Sequence, residues 1–293
     1  MGELFALLAA IIWSNAVILL KKSGESVSPL ALNVFRVAIT APLLVLTLVV
    51  LRQPVLYDAP LTDYLILFAS GIIAIAISDT LFHKSLNMIG AGISAIVGCL
   101  YSPSVVVLAF LLIGERLTGL QMGGMGLIIA GVFVAAGHKP PEGATTRRIV
   151  IGVILGALSL VAVALGIVIA KPVLNRSPVV WATAMRQVGA LAVLLPIALV
   201  SRRRRQIFSA FRPSPAWKFT IPATLLGSYI ALMAWIAGMK YTLAGIAAIL
   251  NQTSTIFILI FATIYLKEAV TRRKVVAAAL AICGIILVTY TST

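Results

Sequence analysis

The chain has 293 residues, 61% hydrophobic and 11% charged, with a formal net charge of +15 and a mean hydropathy of +1.11. Soluble globules carry about 25% charged residues, so the composition excludes an ordinary water-soluble fold and predicts lipid as the solvent. Ten apolar stretches of about 20 residues, each able to cross a ~30 Å hydrocarbon core, would leave only tails and nine short loops.

Apolar runs bounded by charges or turn residues predict spans at residues 4–20, 30–51, 62–82, 89–113, 119–137, 150–170, 178–200, 217–237, 243–265 and 274–290. Each must be a helix, because lipid satisfies no open backbone group and the alternating pattern of a barrel strand is absent. The predicted fold is an all-α integral membrane protein. The start, Met1-Gly2-Glu3, lacks the basic segment of a signal peptide, and its apolar run is followed by Lys21 and Lys22; the first span is expected to be retained. Cys99 and Cys283 each sit inside an apolar run. They provide neither a disulfide framework nor a thiolate zinc site and are expected to be core residues. No cofactor and no metal are predicted.

Most basic residues fall between spans, which reads as topology and contact with anionic lipid headgroups rather than with nucleic acid. One side receives Lys21, Lys22, Lys84, Lys139, Arg147, Arg148, Arg202, Arg203, Arg204, Arg205, Arg212, Lys218, Lys267, Arg272, Arg273 and Lys274. The other receives Arg52, Arg116, Lys171, Arg176 and Lys240. The positive-inside rule makes the first side cytoplasmic and predicts both termini outside.

The chain also repeats itself. Glu115, Thr118 and Gly131 return as Glu268, Thr271 and Gly284 at an offset of 153, and Lys21 and Arg36 return as Lys171 and Arg186 at an offset of 150. Ser28-Pro29 returns as Ser177-Pro178. Two five-helix halves follow, residues 1–140 and 146–293, with the boundary in the polar stretch 138–144. Five is odd, so the second half must enter the membrane inverted, as in secondary transporters.

These residues resemble a family. An Arg entering the second helix of each half after Ser-Pro, the stretches Ser78-Asp79-Thr80-Leu81-Phe82, Ile89-Gly90-Ala91-Gly92 and Tyr101-Ser102-Pro103, and the corner Gly114-Glu115-Arg116-Leu117-Thr118 are similar to the drug/metabolite transporter superfamily, and within it to EamA-type members. The second half departs from the pattern, with Lys267 before Glu268 and Ala269-Val270 in place of Arg-Leu. The resemblance implies helices 1–4 and 6–9 around a central cavity, with helices 5 and 10 peripheral. Relatives move amino acids, other metabolites, nucleotide sugars, sugar phosphates or drugs.

Polar side chains at membrane depth are costly and face cavities or partners. Arg36 is a candidate anion contact with Asp79 as its counter-ion or as a proton-linked carboxylate; a structural ion pair is the alternative. Arg186, beside Gln187, is the counterpart of Arg36. Trp13, Ser14 and Asn15 sit mid-span in helix 1, and Asn251, Gln252, Thr253 and Ser254 form the densest polar cluster of any span. Pro103 should bend helix 4 beside Tyr101 and Ser102. The substrate-binding set is therefore Trp13, Asn15, Arg36, Asp79, Tyr101, Arg186, Asn251 and Gln252, with His83, Tyr229 and Trp235 as weaker candidates. Glu115 and Glu268 precede helices and should satisfy their free amides. Gly152 and Gly156, and Gly123, Gly124 and Gly126, should permit close helix packing rather than hold phosphate, since no Walker Lys follows.

No HExxH, no pair of intramembrane Asp residues and no Ser with a nearby His base is present, so no enzyme is predicted. The sequence reads as a secondary transporter that moves a small polar or zwitterionic metabolite across the inner membrane by alternating access, with amino-acid efflux the first choice. Arg36 or Arg186 would meet the carboxylate, Asn15, Asn251 and Gln252 would hydrogen-bond, and Trp13 or Tyr101 would form an aromatic wall. Proton coupling is open, with Asp79 the candidate. Uptake or exchange of an anionic metabolite such as a phosphate ester or nucleotide derivative is the alternative, and a channel the second. A ten-helix chain can be complete as a monomer.

Overall fold

The computed structural model describes residues 1–135, 145–258, 261 and 272–290, and among these there is no strand. In chain order the helices are α1 (Gly2–Ser23), α2 (Pro29–Val50), α3 (Leu61–Gly71), α4 (Ser78–Gly98), α5 (Tyr101–Ile113), α6 (Gly119–Ala135), α7 (Thr146–Arg176), α8 (Val179–Val200), α9 (Arg204–Phe208), α10 (Trp217–Ala223), α11 (Leu232–Tyr241), α12 (Ala244–Asn251) and α13 (Arg272–Tyr290). π-helical turns at Ile72–Ile77 and Thr224–Ala231 join α3 to α4 and α10 to α11. Among the described residues, six helices are long and apolar enough to cross a membrane, and three shorter apolar helices accompany them.

Local chemistry explains the recurring boundaries. Ser28 and Pro178 both hold extended backbone at the residue before a helix. Pro29 opens α2, where its missing N–H and fixed φ cost nothing. Pro103 cannot donate to residue 99 and its ring crowds that carbonyl; the chain accordingly breaks at Cys99 and Leu100 and restarts as α5. A second break falls at Gln252 and Thr253, the Cys99–Leu100 break shifted by the offset of 153. There Thr253 Oγ1 donates to the Leu250 carbonyl at 2.6 Å, a local bond that competes with the helical ladder. Gly114 ends α5 at φ +71°, a left-handed cap that favours glycine.

The halves interleave. α1 packs along α10, the second π turn and α11, while α7 packs along α3, the first π turn and α4. α2 lies on α8, α5 on α12 and α6 on α13. Each pairing has its counterpart with the halves exchanged. Small residues set the closest approaches: Gly152 and Gly156 let α7 meet Ile89 and Ser85 on α4, and a Cβ on Gly124 would lie 2.9 Å from the Gly284 carbonyl. Backbone meets backbone between α3 and α8. A methyl on Gly71 would overlap the Arg186 carbonyl, and one on Gly189 would lie 2.6 Å from Phe68 Cα. The helix-packing reading of these glycines holds for Gly124, Gly152 and Gly156, whereas among the described residues nothing lies within 4 Å of a Cβ on Gly123 or Gly126.

Three expectations are corrected. The loop predicted between residues 82 and 89 is helical, as part of α4: no Pro interrupts it, and Ser85 Oγ donates to the Gly152 carbonyl at 2.7 Å, tying it to α7. Cys99 is buried, but Cys283 is exposed on α13 rather than in the core. Glu115 does not cap the helix that follows it. Thr118 and Gln121 cap α6 reciprocally, at 2.9 and 3.3 Å, and the Glu115 carboxylate instead accepts from the Gly245 N–H at the start of α12, at 3.4 Å. Glu268 and Thr271 lie outside the described residues.

Candidate functional site

A cavity of about 430 Å³ lies between the halves. Its lining follows α1 from Ala9 through Trp13 to Lys21 and includes Ser78, Asp79 and Phe82 from α4, Tyr101 from α5, Arg186 and Gln187 from α8, Ser228 from the second π turn, Trp235 from α11, and Asn251 and Gln252 at the α12 break. Lys21 is exposed, so the cavity reaches the surface at that end of the bundle.

Two arginines dominate it, and they are built alike. Arg36 on α2 donates from Nε to Ser228 Oγ at 2.7 Å, across to the other half. Arg186 on α8 donates from Nε to Ser70 Oγ at 2.9 Å, again across to the other half. Both serines flank or belong to a π turn, and a π turn inside an α-helix is frequently a functional feature. Each guanidinium also lies over an indole, Arg36 over Trp13 at 5.9 Å and Arg186 over Trp235 at 5.5 Å. Cation–π attraction of this kind contributes on the order of 0.5–2 kcal/mol.

Their remaining donors differ. Arg36 Nη1 is 2.7 Å from His83 Nε2, which serves as acceptor toward the guanidinium, and 3.4 Å from Asp79 Oδ2. Arg186 is 1% exposed, yet neither of its terminal nitrogens has a hydrogen-bond partner. The repeat explains the asymmetry. At an offset of 152, Asp79 and His83 correspond to Ala231 and Trp235, so the acid and base that surround Arg36 are replaced by a methyl and an indole around Arg186. Gln187 donates to the Ser228 carbonyl at 3.3 Å, while its own side-chain oxygen is buried without a partner. The Tyr101 hydroxyl and the Trp235 indole N–H are near one another without a well-formed hydrogen bond.

The opposite end of the bundle is tied shut. Lys171 Nζ, on a residue 5% exposed, donates to the Met239 carbonyl and, at 2.6 Å, to the Thr242 carbonyl, both at the end of α11. Lys240 donates to the Ser177 carbonyl at 2.6 Å, and Thr242 Oγ1 donates to Glu3 at 2.9 Å. Arg176 grips the buried Asp63 carboxylate with two bonds, at 2.6 and 3.0 Å. None of these residues lines the cavity.

Of the residues predicted to meet substrate, Trp13, Arg36, Asp79, Tyr101, Arg186, Asn251 and Gln252 line this one cavity, and Asn15 does not. The Asn15 amide donates to the Ile11 carbonyl of its own helix at 3.0 Å, a local bond that uses the side chain its position made conspicuous. His83 is a direct partner of Arg36 and Trp235 is a wall. Tyr229 instead shares a 2.6 Å hydrogen bond with Thr47. The sequence alone does not single out Ser70, Ser228 or Lys171 as site residues, although the offset from Lys21 to Lys171 is a usable signal. Among the described residues no group of three His, Cys, Asp or Glu side chains could hold a metal ion.

No curated protein matches this sequence. A solved structure, described only as the crystal structure of a protein, superposes with a TM-score of 0.79 at 18% identity, covering 99% of this chain and 97% of that one; at such identity the likeness is one of fold. The EamA-like transporter family matches residues 1–137 and again 150–290, one match for each half. Members of that family are transporters rather than enzymes, and the long apolar helices suit a multi-pass membrane protein. With nearly its whole length so matched, the chain belongs to the EamA-like transporter family, within the drug/metabolite transporter superfamily.

Proposed function

We propose that the protein is a secondary transporter of ten crossings in two inverted halves, which exports a small zwitterionic metabolite, an amino acid, across the inner membrane by alternating access. The observation that carries this reading is the one-ended cavity: it reaches the surface beside Lys21 and stops short of the Lys171 network. A channel would be continuous from end to end, whereas a carrier exposes its site to one side at a time. The open end carries the surplus of Lys and Arg, which the positive-inside rule makes cytoplasmic, so cargo would be loaded from the cytoplasm. An acid and an arginine facing one cavity suit a molecule that carries both charges, and Asp79 is the group available for proton coupling.

The unpartnered Arg186 also favours a second reading, exchange of an anionic phosphate ester. Counterflow into proteoliposomes loaded with amino acids, or with sugar phosphates, tests both. Saturable uptake that accelerates with internal amino acid supports the first reading. Acceleration only by internal phosphate ester supports the second, and a flux proportional to concentration, without counterflow, would overturn carriage altogether.

A further inference from the structure

We infer that the carboxylate subsite of this cavity is Arg186, not Arg36, and that its ligand carries a hydrogen-bond donor on the carbon next to the carboxylate; this rests on the transport reading above. A buried guanidinium with two free nitrogens is costly unless it meets an anion. Arg36 has its complement within the protein, because Ser228, His83 and Asp79 surround it. The residues that correspond to Asp79 and His83 in the second half supply no acceptor to Arg186, and among the described residues none forms an ion pair with it, although Asp79 attracts it from a distance. Its Nε is spent on Ser70, which fixes the orientation of the fork and leaves Nη1 and Nη2 for the two oxygens of a planar carboxylate, the bidentate geometry that guanidinium groups favour.

The surroundings define the rest of the ligand. The Tyr101 hydroxyl and Trp235 N–H supply further donors on the same cavity wall. Gln187 contributes the opposite chemistry: one N–H of its amide donates to the Ser228 carbonyl, and its buried acceptor oxygen has no partner of its own. An acceptor among donors disfavours a phosphate, whose remaining oxygens are acceptors too. It suits an α-ammonium or α-hydroxyl group, and Asp79, 24% exposed, adds a second acceptor. Beyond this head the cavity is walled by Trp13, Phe82, Leu86, Leu160 and Val163, which leaves an apolar compartment for the side chain.

The test is thermal stabilisation of the full-length, detergent-purified protein by each of the twenty L-amino acids, by the amines made from them by decarboxylation, by the carboxylates that lack the amino group, and by inorganic phosphate. At least one amino acid is expected to stabilise, its amine to lose binding by a hundredfold or more, and its deaminated carboxylate by about tenfold. Arg186→Gln is expected to abolish the stabilisation and Arg186→Lys to restore part of it, while Arg36→Gln, in protein that still folds, weakens it less than Arg186→Gln does, and Arg52→Gln, on an exposed residue outside the cavity lining, leaves it unchanged. If Arg186→Gln does not fold, the analogue series on the unmodified protein still decides. Equal binding of amine and amino acid, or undiminished binding by Arg186→Gln, would overturn the subsite while leaving transport intact. Binding of phosphate alone would also overturn it, and stabilisation by nothing would overturn the transport reading on which it rests.

Discussion

Lys21 and Lys171, 150 residues apart at corresponding places in α1 and α7, are held in opposite ways. Lys171 is buried on the Met239 and Thr242 carbonyls, and Lys21 stands exposed at the mouth of the cavity. Shifting the two carbonyls back by the offset of 152 that relates α4 to α11 gives Asn87 and Gly90, and the end of α1 already lies beside this segment, since a Cβ on Gly24 would be 3.3 Å from Asn87 Oδ1.

Lys171→Met is therefore expected to loosen the closed end. Hydrogen bonds to a charged group contribute about 1.5–3 kcal/mol each, so losing this pair should shift the balance of access by at least about tenfold. The measurement is the labelling rate, with a water-soluble thiol reagent, of a cysteine placed at Ala244 in a chain whose native cysteines are serine. An unchanged rate would show that Lys171 does not hold the end shut. In the complementary experiment, a disulfide between Lys21→Cys and Asn87→Cys is expected to arrest transport reversibly.

The pair between Arg176 and Asp63 is unequal, because the Asp63 side chain is 2% exposed and the Arg176 side chain 57%. Removing the arginine strands a buried carboxylate, whereas neutralising the acid releases an arginine to solvent. Arg176→Ala is expected to lower the unfolding temperature in detergent more than Asp63→Asn does, with a difference of roughly 1–3 kcal/mol. The reverse order would show that the carboxylate has water or another donor in reserve.

Asp79→Asn leaves Arg36 bound to Ser228 and His83 but without a counter-charge. If Asp79 carries the coupling proton, transport by this variant should no longer respond to a pH gradient, while exchange of cargo between the two sides persists. His83→Gln, which keeps an acceptor beside Arg36, is the control and should retain the response. A response that survives Asp79→Asn would assign coupling elsewhere.

Gly71→Ala is expected to cost at least about 1–3 kcal/mol, since an extra methyl at a backbone-to-backbone contact has nowhere to go. Gly126→Ala, with open space around it, should be neutral or slightly stabilising. Thermal unfolding of the two variants side by side is the check, and equal stability would mean that α3 and α8 can part at Gly71 without loss.

Much of this organisation is legible in the sequence because lipid forces hydrophobic length and helical hydrogen bonding to coincide. Repeat offsets found Arg186 from Arg36, and the cost of a polar group at membrane depth singled out Trp13, Asp79, Tyr101, Asn251 and Gln252. Rotation about a helix was not legible. Asn15 and Trp13 are two residues apart, yet the Asn15 amide folds back onto Ile11 and only Trp13 lines the cavity. Continuity was not legible either, because Lys84 and Asn87 read as a loop although α4 carries them through it on its exposed face. Nor was satisfaction: the same residue type occurs at positions 36 and 186, and only the neighbours in space distinguish an arginine that is complete from one that is waiting.

The π turn at Ile72–Ile77 has a consequence for how such proteins can change their chemistry. A π turn takes up an extra residue, and each residue rotates a helix by about 100°. The faces that Ser78, Asp79 and His83 present are thus set by the length of the segment before them as much as by their own identities. Deleting one residue from 72–77 would swing Ser78 and Asp79 out of the cavity and His83 away from Arg36, while every side chain of the site remained in the sequence. Insertions and deletions in this short apolar stretch, which look silent in composition, are a route by which one scaffold could exchange one cargo for another.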